Sequence, residues 1–377
     1  MKMNVHHRNR AAGLASILML VGCIAIPATG SAADFYQQRN LVADRIEAHA
    51  ENVDRNLVNP WGLAFNPFAV AWVADNGTGV STLYDGDGKP QSLVVTIPPA
   101  VAGETGDPTG IVFNGGAGFV VTKGTLSGPS RFLFASEDGG IAGWAPNVDV
   151  NNAIRVVPAS GTTDAVYKGL AISADGRRQL LYAADFHNNR VDVFDAAFAK
   201  VTLPGKPFHD PHLPSGFAPF GIQAINGDIW VSYAKQDANR HDDVPGSGFG
   251  FVNVFAPDGH FIRRFASHGA LNAPWGMALA PASFGRFSNR LLVGNFGDGA
   301  INAYDVDSGK FVGRLKGANH KPIAIEGLWG IAFGNGLNNQ PVDTLFFTAG
   351  PGDEQHGLYG RLDVVPGDEH DDADNLE

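Results

Sequence analysis

The sequence predicts an all-β fold: a closed ring of six four-stranded antiparallel blades, completed by an N-terminal strand. Three observations predict it. Glycine (48) and proline (23) are abundant, charged residues make up only 17% of the 377, and apolar runs are short, which favours many strands and turns over helices. A short apolar phrase built around glycine recurs six times. Each phrase is followed by runs that alternate apolar and polar residues between Asp-Gly or Asn-Gly turns, the signature of hairpins. An apolar content of 44% supplies a core for a chain of this length.

The first element is a leader. Residues 1–33 hold Lys2, Arg8 and Arg10, an apolar stretch from Ala11 to Pro27, and the small residues Ser31 and Ala33. This is the organisation of a secretory signal peptide cleaved near residue 33. An exported protein, periplasmic or extracellular, is therefore expected. The run Leu20-Val21-Gly22-Cys23 also fits a lipobox ending at Cys23, the single cysteine. On that alternative the chain is an outer-membrane lipoprotein with a lipid anchor on Cys23. No later stretch reaches the ~18 apolar residues of a membrane span, so no transmembrane segment is expected in the mature chain. The formal charge of −11 argues against nucleic acid as a partner, because phosphate binding needs a basic face.

The six phrases come next: "NPWGLAF", "DPTGIVF", "VYKGLAI", "FAPFGIQAI", "NAPWGMALA" and "EGLWGIAF", with glycines Gly62, Gly110, Gly169, Gly221, Gly276 and Gly330. The 48 to 59 residues between successive glycines suit a four-stranded propeller blade with generous loops. Each phrase reads as an inner strand. A second strand then ends in a polar hinge and a third alternates, as in "AWVADNGTGVSTLYDGDG" (71–88), "LLYAADFHNNRVDVFD" (180–195) and "LLVGNFGDGAINAYDVDSG" (291–309). The stretch "RNLVADRIEAHA" before the first phrase is long enough to add a strand to the last blade and remove its open edge. Residues 34–366 are thus one six-bladed β-propeller, and residues 367–377 are an acidic disordered tail.

The unit formed by a glycine phrase and "YAADFHNNRVDVFD" resembles the NHL repeat. Through "NLVNPWGLAF", "WVADNGTGVSTLYDGDG", "AVYKGLA", "YAKQDANRHDD", "LLVGNFGDG" and "EGLWGIAFGNG", the mature chain also resembles a family of exported bacterial NHL-like propellers of unassigned function. The resemblance implies the fold. NHL-type propellers include binding modules, lyases and lactonases, so it assigns no reaction.

In such a ring the loops leading into the inner strands and the hinges between second and third strands share one face. Three sets of candidates collect there. The residue before the inner-strand glycine is Trp61, Lys168, Phe220, Trp275 or Trp329 in five blades, with Thr109 in the other, predicting an aromatic mouth for an apolar or sugar-like ligand with an anionic end near Lys168. Packing between blades is the competing role for these rings. His187 joins the set, as no other blade has a histidine at that hinge.

The second set is oxygen-rich: Asp75, Asn76, Asp185, Asn295 and Glu326, donors that suit Ca2+. The resemblance to lactonase propellers implies a central calcium held by such residues, while turn formation is the plainer role for Asp and Asn at bends. The third set lies in blade four, whose expanded loops bring His209, Asp210 and His212 toward Asp237, His241, Asp242 and Asp243. Imidazole and carboxylate together suit Zn2+. No Gly-x-Ser-x-Gly elbow or phosphate loop is present.

The expected function is an exported binding or scaffold protein that holds its ligand on the loop-rich face at the axis. Its partner would be a small molecule, a glycan or an envelope protein. The alternative is a metal-dependent (Ca or Zn) hydrolase, lactonase or lyase of the propeller type.

Overall fold

The structure is a computed structural model and describes residues 35–158 and 164–365. The leader, Cys23 and the tail lie outside the described residues. Among these residues, no helix is long and apolar enough to cross a membrane.

Six small sheets follow one another round a ring, built from strands that run in chain order except where blade two skips an inserted hairpin and blade six borrows strands from the N-terminus. The inner strands are Pro60–Phe65, Pro108–Phe113, Tyr167–Ala174, Phe217–Ile225, Pro274–Leu279 and Leu328–Phe333. They contain the six predicted phrases. In blade one, Ala71–Asp75, Val80–Tyr84 and Val95–Thr96 follow outward, and blades four and five repeat this order. Blade two adds a hairpin, Val120–Lys123 with Leu126–Pro129, before its second strand.

Blade three departs from four regular strands. After Arg190–Asp195 the chain turns on Asp195, whose carboxylate accepts from the amides of Ala197 and Ala199. The fourth position is then held only by the Phe194–Lys200 bridge and a bond from Val201 N–H to Val193 O. Pro204-Gly205 follows at once, and proline has no N–H with which to extend a ladder.

Closure occurs as predicted. Phe35–Ala43 pairs antiparallel with Leu358–Val365 as the outer strand of blade six, and Asn52–Val53 adds a short parallel pair outside it.

The recurring glycine has a physical cause. In every blade the inner strand slips register against the second strand at this point, a β-bulge. In blade five, Trp275 and Gly276 lie between the paired residues Pro274 and Met277, while the opposite strand has only Gly294 between Asn295 and Val293. The bulge turns the first residue toward the axis and presses the second against the next blade. A β-carbon at any of the six glycines would lie within 3.0 Å of the neighbouring inner strand: Gly62 meets Thr109 O, Gly110 meets Leu170 N, and the series closes with Gly330 against Trp61 O. Side chains satisfy amides the bulge frees, as Ser232 Oγ accepts from Gly221 N–H and Thr348 Oγ1 from Gly330 N–H.

Candidate functional site

The bulges place Trp61, Phe220, Trp275 and Trp329 on the axis, and all four are buried. Trp61 stacks on Trp329 at 3.6 Å between ring centroids, and Phe296, from the hinge of blade five, stacks on its other neighbour position at 4.0 Å. Phe186 and Phe220 complete the cluster. The expected open aromatic mouth is therefore corrected. Rings of this size, aimed at one axis from adjacent blades, fill the channel as a plug. Two indoles also bond inward, Trp329 N–H to Asn59 Oδ1 (3.1 Å) and Trp275 N–H to Lys168 O (2.8 Å).

A polar network lies against this plug. Lys168 takes the bulge position in blade three, its side chain is only 2% exposed, and its ammonium sits 5.0 Å from the Trp61 ring centre. It donates to Glu137 Oε1 (2.5 Å) from the hinge of blade two and to Asp242 Oδ1 (3.1 Å) from blade four. Asn76 donates to Glu137 Oε2 (2.9 Å), and Asn59 donates to Asn76 Oδ1 (3.2 Å) and Glu354 Oε2 (2.7 Å). Asn59 reaches inward from a left-handed backbone, φ 45°, which asparagine tolerates better than most residues. Five blades thus contribute polar side chains to one network, and the predicted sharing of a face by leading loops and hinges holds.

Electrostatics here are strained. Burial opposes the Lys168 charge, but Glu137 and Asp242 outweigh it and hold the ammonium protonated above its usual range. The bond with His241 is the largest influence lowering Asp242, and the same bond raises His241. Burial pushes Asp243 up to about 7 and, helped by Asp138 and Glu137, Asp107 up to about 6. Burial also raises Glu354, against the bond from Asn59. Where the anionic end of a ligand was expected, carboxylates of the protein, Glu137 and Asp242, already pair with the Lys168 ammonium.

The calcium set is not assembled. Asp75 is buried inside blade one, accepts from Thr82 Oγ1 (2.8 Å), and has no partner on Oδ1 among the described residues. Asp185 caps its own hinge through the Asn188 amide and side chain and pairs with Arg190 (3.1 Å). Asn295 bonds Asp298 and Ala270 O, while Glu326 accepts from Gly352 N–H. Of the five, Asn76 alone joins the axial network. Short Asx side chains at these bends bond close to their own backbone and stay within their blades, too far back to reach the axis.

The blade-four set is split. Asp210 is buried against Arg264 (2.5 Å), with Asn253 and the His212 amide also donating to it. His209 and His212 are exposed. Asp237 accepts from the amides of His241 and Asp242 and so shapes the loop. Only the 241–243 segment reaches the axis. Among the described residues, Glu137, His241 and Asp242 form a group whose ligand atoms lie within 4.8 Å of one another.

His187, Glu137 and His241 line one cleft of about 430 Å³ together with Asp138, Asp164 and Asn239. The sequence places Asn59 and Glu137 on this face but outside the three candidate sets, and Glu354 was missed. Glu137 carried a usable signal: at a hinge position where Asp or Asn makes turns, a longer glutamate side chain cannot form the same turn and is free to reach elsewhere.

Burial of Asp75 gives a prediction. Its carboxyl is raised well above the ordinary range, so it stays protonated in the fold while the unfolded chain ionises near pH ~3.9. The folded state then holds more protons, and stability falls as pH rises through this window. Asp75→Asn is expected to gain on the parent in urea midpoint as pH goes from 5 to 8. Parallel curves for the two proteins would refute it.

Fold and site define a six-bladed β-propeller with an aromatic plug and a polar network at its mouth. The chain belongs to the family of two proteins of Acanthamoeba polyphaga mimivirus, the uncharacterised proteins R648 and L690. It is 35% identical to R648, with 85% of this chain and 78% of that protein aligned, and 35% identical to L690, with 83% and 82% aligned. These relatives are viral, so the expected kinship with exported bacterial proteins finds no support in them. No family model matches the chain. Among solved structures it is similar to the soluble aldose sugar dehydrogenase of Escherichia coli, at 14% identity and a TM-score of 0.51, covering 88% of this chain and 100% of that one. At that identity the likeness shows the fold alone.

Proposed function

We propose that the protein is a binding propeller whose mouth face captures a small polar molecule beside the Lys168 network. The observation that supports this reading most is the cleft between blades two, three and four, whose Glu137 wall is fixed by the buried ammonium. The cleft is open, but its Glu137 wall is held in place by Lys168 and Asn76, and its volume lies in the range of small-molecule sites. A thermal-shift screen of a metabolite library against the parent and His241→Ala tests it. Compounds that raise the parent melting temperature are expected to lose their effect in the variant. A screen without such compounds would leave only the scaffold role.

A second reading, a metal-dependent hydrolase, lactonase or lyase, is favoured by the Glu137, His241 and Asp242 group, a donor set better matched to Zn2+ than to Ca2+. Against it, the Lys168 ammonium already neutralises two of the three donors. Elemental analysis of purified protein is expected to find no stoichiometric metal, with melting unchanged by chelator. One bound zinc or calcium per chain would favour the second reading. Export through the N-terminal segment is likewise part of our proposal. Mass spectrometry of the protein from its host is expected to find a chain beginning near Asp34.

A further inference from the structure

We infer that the cleft between blades two, three and four is a subsite for a neutral, hydroxyl-rich small molecule of about monosaccharide size. This rests on the binding reading above and names its ligand class.

The argument begins with which polar groups in the cleft are already used. Glu137 is held by Lys168 (2.5 Å) and Asn76 (2.9 Å), and Asp138 is gripped by two guanidinium nitrogens of Arg155 (3.0 and 2.6 Å). These two carboxylates are fixed and largely neutralised. Asp164, His187 and Asn239 have no side-chain partner among the described residues, and His241 uses only Nδ1, on Asp242. One carboxylate, one carboxamide and two imidazoles therefore face the cleft with unused hydrogen-bonding capacity.

That set selects a ligand class. The carboxylate accepts, while the carboxamide and imidazoles both donate and accept, which is the complement of several hydroxyl groups. A small cation would find one free carboxylate beside two imidazoles, and an anion would meet Asp164 and the fixed wall of Glu137 and Asp138. Among the described residues Ala165 and Val166 are the alkyl side chains here, and carbon makes up most of the exposed lining, which suits the C–H faces of a sugar or polyol as its donors and acceptors suit the hydroxyls. The volume of about 430 Å³ lies within the roughly 300–1,000 Å³ of small-molecule sites.

Saturation-transfer NMR and isothermal titration of the full chain test the inference, with D-glucose and sorbitol as neutral probes, putrescine as the cation and citrate as the anion. At least one polyol is expected to bind saturably, with affinity falling about tenfold or more in His187→Ala and Asn239→Ala. Neither residue is buried, so melting temperature should hold in both variants. Putrescine or citrate binding without a polyol would overturn the ligand class and leave the binding reading standing. Polyol binding unaffected by either substitution would overturn the location. Silence from every probe would overturn the class, and silence from the metabolite screen as well would overturn the binding reading.

Discussion

Gly221→Ala is expected to destabilise the fold by about 3 kcal/mol, the upper end of the usual cost of overpacking. The new methyl group would strike Trp275 O and crowd Ser232 Oγ, and neither yields easily. Trp275 O belongs to the next inner strand, and Ser232 Oγ accepts the Gly221 amide that the bulge leaves unpaired. Relief would require blades four and five to separate, loosening the aromatic plug between them. Gly115→Ala is the control, because its nearest contact is the edge of Phe113 at an ordinary 3.5 Å. Urea denaturation should show a large loss for the first and almost none for the second. Equal midpoints would refute the claim that the repeated glycine is a packing device between blades.

Lys168→Met is expected to cost about 3 kcal/mol, since removing one partner of a buried ion pair leaves the other desolvated and unpaired. Glu137, only 14% exposed, is the group left behind. Asp242 is 67% exposed and regains water, so Asp242→Asn should cost no more than about 1 kcal/mol. Adding Glu137→Gln to Lys168→Met should recover much of the loss. A double variant no better than the single one would show that Lys168 acts through its ammonium over Trp61 or its packing rather than through its pairing with Glu137.

Much of the architecture was legible in advance because propeller blades are local. Each hairpin writes its own alternation and turn residues, and six copies of the glycine phrase reveal the ring. The irregular fourth strand of blade three was less legible, because a single turn on Asp195 and the following Pro204 decide it. The candidate site was legible only as a face. Asp75, Asp185 and Asn295 looked like ligands by residue type, yet each is buried in its own blade and bonds neighbours there, away from the axial network. Glu354 gave no signal, since its role depends on Asn59, 295 positions earlier, lying across the closed ring.

The sequence by itself determined the all-β class, the six repeats, the closing strand and the sharing of one face by hinges and leading loops. These follow from periodicity, turn chemistry and strand alternation, which act over a few residues. Only the tertiary structure decided that the four bulge aromatics plug the axis and that Lys168 is held by Glu137 and Asp242. It also brought His187 beside His241. Those outcomes depend on distances between blades far apart in sequence, and the closure of the ring sets all of them together.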